Sequence, residues 1–205
     1  MPLLTTIKKP YLLFALSLIT LSSCANYHAS SLNTLAPDAI LSSHSMEKKE
    51  ILIVAKAFSK RDCQRYLDRD VIAEGYQPVQ LYIENRSDKS YVFALDRISL
   101  AHAEPEEVAE KVHTSTVGRA VGYGVGALFL WPLAIPAVVD GIKSHEANNA
   151  LDTDFLSKAA RNQVIEPHSY FNKLLFVPNN EYQPSFTLTL LDQNAQAKTF
   201  TVSAS

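Results

Sequence analysis

The sequence predicts a mainly β domain, an antiparallel sandwich interrupted by a glycine-rich helical hairpin. Three observations carry this. Residues 79–85 and 91–95 alternate apolar and polar side chains, as do 186–190 and 199–202. Polar turn sequences separate the alternating runs, RSDKS at 86–90 and DQNAQ at 192–196. Between these two β blocks lies a stretch of different character, GRAVGYGVGALFLWPLAIPAVV at 118–139, with no charge between Arg119 and Asp140.

The chain opens with a leader, residues 1–23. Lys8 and Lys9 form a positive region, and residues 11–21 (YLLFALSLITL) form an apolar core too short to remain as a membrane-spanning helix. Leu21-Ser22-Ser23-Cys24 follows directly. A leucine, two small residues and a cysteine in this place resemble the lipobox of bacterial lipoproteins. The resemblance covers only the leader. It implies diacylation of the Cys24 thiol, cleavage before Cys24 and N-acylation of the new terminus, so that membrane lipid is a partner through acylated Cys24. Two or three acyl chains hold a protein firmly, where one binds marginally. For a Gram-negative source, Ala25 after the cysteine resembles the outer-membrane class, since Asp there favours retention in the inner membrane. The expected location is therefore the bacterial cell envelope, with the face of the membrane left open.

Residues 24–48 are rich in Ser, Ala and Asn without sustained period, and read as a flexible tether, with a short helix conceivable at 38–41. The folded domain is expected over 49–205. Its first strand is the run 51–54 (ILIV). Residues 59–75 (SKRDCQRYLDRDVIAEG) are charged, with one helical turn expected at 63–67. Cys63 stands between Arg61 and Arg65, and nearby cations can lower a thiol pKa. With no His or second Cys near it in sequence, Cys63 reads as a half-buried core residue. If Cys24 is acylated, no internal disulfide can form, because these are the two cysteines in the chain. Val79, Leu81 and Ile83 then point one way, and Gln80, Tyr82 and Glu84 the other; Tyr91, Phe93 and Leu95 repeat the rhythm, and Ile98 and Leu100 extend it past a bend. The pattern reads as a hairpin with one face buried.

The insertion spans about residues 103–162. Pro105 with Glu106, Glu107 and Glu110 marks a helix start, and the helix is expected to run through His113 into the glycine stretch. Gly118, Gly122 and Gly126 fall on one helical face and leave a smooth groove, with Gly124 beside it. Each glycine costs about 1 kcal/mol against alanine in a helix, so a compensating close contact is required. Leu128, Phe129, Leu130, Trp131 and Leu133 form an apolar tip, and Pro132 and Pro136 predict a break near residue 131. A second helix is expected over 133–143, resuming to about 160. Three arrangements are open. The segment crosses a membrane once, since about 20 uncharged residues reach roughly 30 Å. Or a hairpin dips its tip into one leaflet, with Trp131 at the interface. Or the hairpin packs on the sandwich, on itself, or on a partner through its glycine face.

Chemistry is sparse. His145-Glu146-Ala147-Asn148-Asn149 starts like a zinc-protease HExxH motif, but Asn149 stands where the second histidine must be. Glu110 and His113 fit one Glu-x-x-His unit of a di-iron bundle, which needs two. No catalytic residue, metal or cofactor is expected. A net charge of −2, with 20% charged residues, argues against nucleic acid as a partner.

The β pattern returns over 169–177, 186–190 and 199–202, the last two as a hairpin. About seven strands over roughly 110 residues suit an Ig-like or fibronectin-like sandwich. The Cys…Trp…Cys marker of antibody domains is absent, so that label is architectural. The functional expectation is a lipid-anchored, non-catalytic interaction or structural module whose hairpin contacts a membrane, a partner protein or a second copy. The alternatives are a surface-exposed adhesion lipoprotein and, less favoured, an envelope-modifying enzyme.

Overall fold

A computed structural model describes residues 26–35, 50–114 and 134–204. The leader, Cys24, and the predicted contact residues Gly118, Gly122, Gly124, Gly126, Leu128, Phe129, Leu130, Trp131 and Leu133 lie outside the described residues, as does the stretch 38–41.

The body is mainly β, built as two antiparallel sheets. Strands β1 (Ile51–Ala57), β2 (Tyr76–Asn85), β3 (Tyr91–Phe93), β4 (Gln163–Ile165), β5 (Tyr170–Pro178), β6 (Ser185–Asp192) and β7 (Ala197–Ser203) follow in chain order. One sheet has the order β1-β2-β5 and the other β4-β3-β6-β7. Both sheets therefore mix strands from before and after the insertion. Val79 pairs with Leu175 across β2 and β5, and Val92 with Val164 and Leu191 across β3, β4 and β6. A single crossing of a membrane by the insertion would separate these partners, so that arrangement is excluded.

Side-chain alternation explains the core. Ile51, Ala55, Val79, Leu81, Ile83, Phe171, Leu175 and Val177 face inward from the first sheet. Tyr91, Phe93, Ile165, Phe186, Leu188, Leu190 and Val202 meet them from the second. Phe93 and Phe171 touch across the gap with ring centroids 4.3 Å apart. The first and last strands also meet, through a parallel bridge between Ala55 and Ala204. Lys198 on β7 fastens this seam, donating to Glu50 at 2.6 Å and to the Tyr91 hydroxyl at 2.8 Å.

Two strand expectations are corrected. The turn at 86–90 does not close a hairpin: β2 and β3 belong to different sheets, and the turn carries the chain from one to the other. Buried Asn85 fixes this corner. Its amide donates to the carbonyls of Lys89, Ile165 and Glu166, while its oxygen accepts from Ser87. Nor is one face of β2 open to solvent. Gln80 and Tyr82, on the face away from the core, are also buried, because helices and an extended segment cover it.

That cover has three described helices. Helix α1 (Lys60–Leu67) is longer than the single turn expected, because Ser59 and Asp62 form a capping box that satisfies both backbone donors at its start. It buries Cys63, Tyr66 and Leu67. Helix α2 (Pro105–Lys111) stops at Lys111 and does not continue through His113; Val112 caps it. Helix α3 (Ala134–Lys158) runs on without a pause at 143, where a helix over 133–143 resuming to about 160 was expected; the break expected near residue 131 lies outside the described residues. Pro136 is its third residue, and the first four N–H groups of a helix have no partner within it, so the missing donor costs no bond. Leu151 and Phe155 of α3 are fully buried, and Phe155 stacks on Phe176 of β5 at 5.4 Å.

Part of the stretch read as a tether is held in place. Residues 28–35 lie on the outer side of the three-stranded sheet. The Asn33 carbonyl accepts from Gln80 at 2.7 Å and from Asn172 at 3.3 Å, and Leu35 packs on Leu52, Val54 and Tyr82.

Candidate functional site

The predicted functional element is the insertion, and what the structure describes of it is its root. The root forms on the free edge of β5. Ala103 donates to the Phe176 carbonyl at 2.8 Å as the chain leaves the body, and Ala160 donates to the Leu174 carbonyl at 2.7 Å as it returns. Departure and return thus occupy alternate carbonyls of one strand edge.

Helix α2 holds the outgoing arm. Pro105 sits in its first turn, acids Glu106 and Glu107 lie near its positive end, and Val108 and Ala109 are buried. Tyr76 at the start of β2 donates its hydroxyl to Glu107 at 2.6 Å, and Lys111 donates to the same hydroxyl oxygen. The Tyr76 hydroxyl, with Lys111 beside it, holds the Glu107 carboxyl below its usual range; the same hydroxyl raises the Lys111 ammonium above its own.

The returning arm is held by Lys158, 6% exposed, which donates to the Tyr66 carbonyl at 2.6 Å and to Asp154 at 2.5 Å. The arms meet at His113 and Asp152, whose Nε2 and Oδ1 are 2.6 Å apart. Beyond that pair, Thr114 donates its backbone N–H to Asn148 at 3.0 Å. Arg69, just past α1, donates to the Val112 carbonyl at 3.2 Å and to the Asp68 carbonyl and carboxylate, tying the outgoing arm to the loop after α1.

Beside the root is a cleft of about 270 Å³ lined in part by Leu95, His102, Glu104, Arg161 and Asn162. Asn162 accepts from the Leu95 N–H, and Arg161 approaches Glu106 at 3.5 Å. His102 Nδ1 is buried with no hydrogen-bond partner. Among the described residues no three His, Cys, Asp or Glu side chains gather as a metal site. His145 and Glu146 are exposed on α3, with Asn149 3.3 Å from His145. Glu110 is exposed, and His113 is engaged by Asp152. Cys63 is fully buried. Burial first, then the carboxylates of Asp70 and Asp62, push its thiol up to about 12, so the flanking arginines do not activate it.

Among the described residues no helix is long and apolar enough to cross a membrane. No protein-family model matches this chain, and no curated protein or solved structure matched it.

The sequence reading missed Asp68, Arg69, Lys158 and Asp152 as parts of the root. Only the spacing of Asp154 and Lys158, four apart on one helix, hinted at a pair. The contacts of His113 with Asp152, Arg69 with Val112 and Lys158 with Tyr66 join residues 39 to 92 positions apart, and a linear pattern does not encode them.

Proposed function

We propose that the chain is a lipid-anchored envelope protein that works without catalysis, as an interaction or structural module. Acylated Cys24 holds it to the membrane. The glycine-rich insertion, through Gly118, Gly122, Gly124, Gly126 and the apolar tip 128–133, meets a membrane or a partner protein. The observation that carries this reading is the root. Both arms are fixed to one edge of β5 and joined by His113 and Asp152, on either side of the apolar segment in sequence. For the body we propose an Ig-like, fibronectin-like sandwich. The split into three and four strands, with β4 beside β3, and the shared core support it.

The test is liposome flotation of a soluble form lacking the leader and carrying Cys24→Ala. Flotation that Trp131→Glu abolishes supports membrane contact by the tip. If the protein stays at the bottom with either residue at 131, the membrane arm is lost. Crosslinking in cells, read by mass spectrometry, then decides the partner arm, and no crosslink from the insertion would end the proposal.

A second reading, a surface adhesion lipoprotein, is favoured by one feature. Val92 and Val164 are cross-strand neighbours on the outer side of the four-stranded sheet and are 38% and 49% exposed. Loss of binding to a host-matrix surface on Val92→Lys, without change in flotation, would favour it.

A further inference from the structure

We infer that the corner formed by Asp68 and Arg69 is the membrane-facing corner of the body, held against phospholipid headgroups so that the anchor and the insertion's root reach the same leaflet. This rests on the lipid-anchored reading above and adds to it an orientation and a contact surface.

The anchor side begins at His28. Its backbone N–H donates to the Asp68 carboxylate at 3.0 Å, and two residues on, Ser30 donates to the Arg65 carbonyl at 2.9 Å. Asn33 and Leu35 continue the attachment across the sheet, as described above. Gln80, 2% exposed, relies on the Asn33 carbonyl for one of its amide bonds, so peeling the segment away would strip a partner from a buried polar group. The length of chain between Cys24 and this attachment is therefore short. Cys24 precedes His28 by four residues, and an extended chain covers at most about 14 Å in that distance. An anchor that short keeps the corner at the headgroup layer, where a tether of the length read from the sequence would let the body turn freely.

The neighbouring residue holds the insertion's outgoing arm. Arg69 holds the Val112 carbonyl while bonding the Asp68 carboxylate that receives His28. His113 and Asp152 follow immediately. Asp68 itself is in the left-handed region, φ 51°, and its carboxylate accepts from both His28 and Arg69. Arg65 is exposed on the last turn of α1, next to this corner, and Arg61 is exposed at the helix start, while Lys60 there is paired with Asp70 at 2.7 Å. Basic side chains close to an anionic membrane surface are attracted to it.

The experiment uses the full lipidated protein in liposomes of phosphatidylethanolamine and phosphatidylglycerol containing a headgroup-nitroxide lipid. A bimane fluorophore is attached either at Gln64→Cys, exposed on α1, or at Thr201→Cys, exposed on the outer side of β7. Cys63 does not compete for label, being buried with its thiol protonated. Two packed layers of about 10 Å each separate the two positions. Quenching several-fold stronger at 64 than at 201 is the expected result. Equal quenching, or stronger quenching at 201, in protein shown by mass spectrometry to be acylated at Cys24 overturns the orientation while leaving the anchor intact. Protein that is neither acylated nor membrane-bound would remove the lipid-anchored reading, and this orientation with it.

Discussion

Lys158 shows how much of this molecule rests on single polar side chains. Its ammonium is buried and serves both a backbone carbonyl of α1 and a carboxylate one turn back on α3. Lys158→Ala leaves the Tyr66 carbonyl without this donor in a buried place, and a loss of about 1–3 kcal/mol is expected by urea unfolding. Cys63 makes a different prediction. Its folded thiol ionises near 12 against an ordinary value of 9.0. Folding therefore favours the protonated form. That contribution is complete below pH 9 and is lost as pH rises toward 12, because the unfolded thiol gives up its proton first. A thiol reagent at pH 8 should leave Cys63 unmodified in the folded protein and modify it once urea unfolds the chain; rapid labelling of folded protein would contradict this burial.

Among the elements, α1 and α3 bear the weight of the outer layer. Ser59→Ala removes the cap of α1 and should cost about 1 kcal/mol. Phe155→Ala opens space beside Phe176 and should cost about 3–5 kcal/mol, readable as a lowered thermal midpoint. How much of this was legible varies by element. Val79, Leu81, Ile83, Phe186, Leu188 and Leu190 announced their strands and their inward face, because period-two alternation is local. Strand β4 escaped notice, since three residues are too few to show a period. The turn at 86–90 looked like a hairpin because polar turn residues fix a reversal and not which sheet the next strand joins. The extent of α2 and α3 was misjudged for a related reason. The second helix was read as pausing at 143, where α3 runs on to Lys158, and α2 ends where the root turns the chain at Val112 and His113. At the candidate site the Asp68, Arg69 and Asp152 contacts depend on tertiary approach and left no trace in spacing.

For the molecule as a whole, the account divides the labour. Strands from both sides of the insertion interleave in two sheets around one core, and the seam between β1 and β7 closes it. We expect this core to stand without residues 115–143. Replacing residues 115–143 by a short Gly-Ser linker between Thr114 and Ser144 tests this most directly, since the Thr114 and Asn148 contact already brings those ends together. In the soluble Cys24→Ala background, the account predicts a shortened protein that keeps its β-rich circular dichroism and a single cooperative urea transition, and that no longer floats with liposomes or crosslinks to a partner. A shortened chain that fails to fold, or one that folds and still binds, would contradict it.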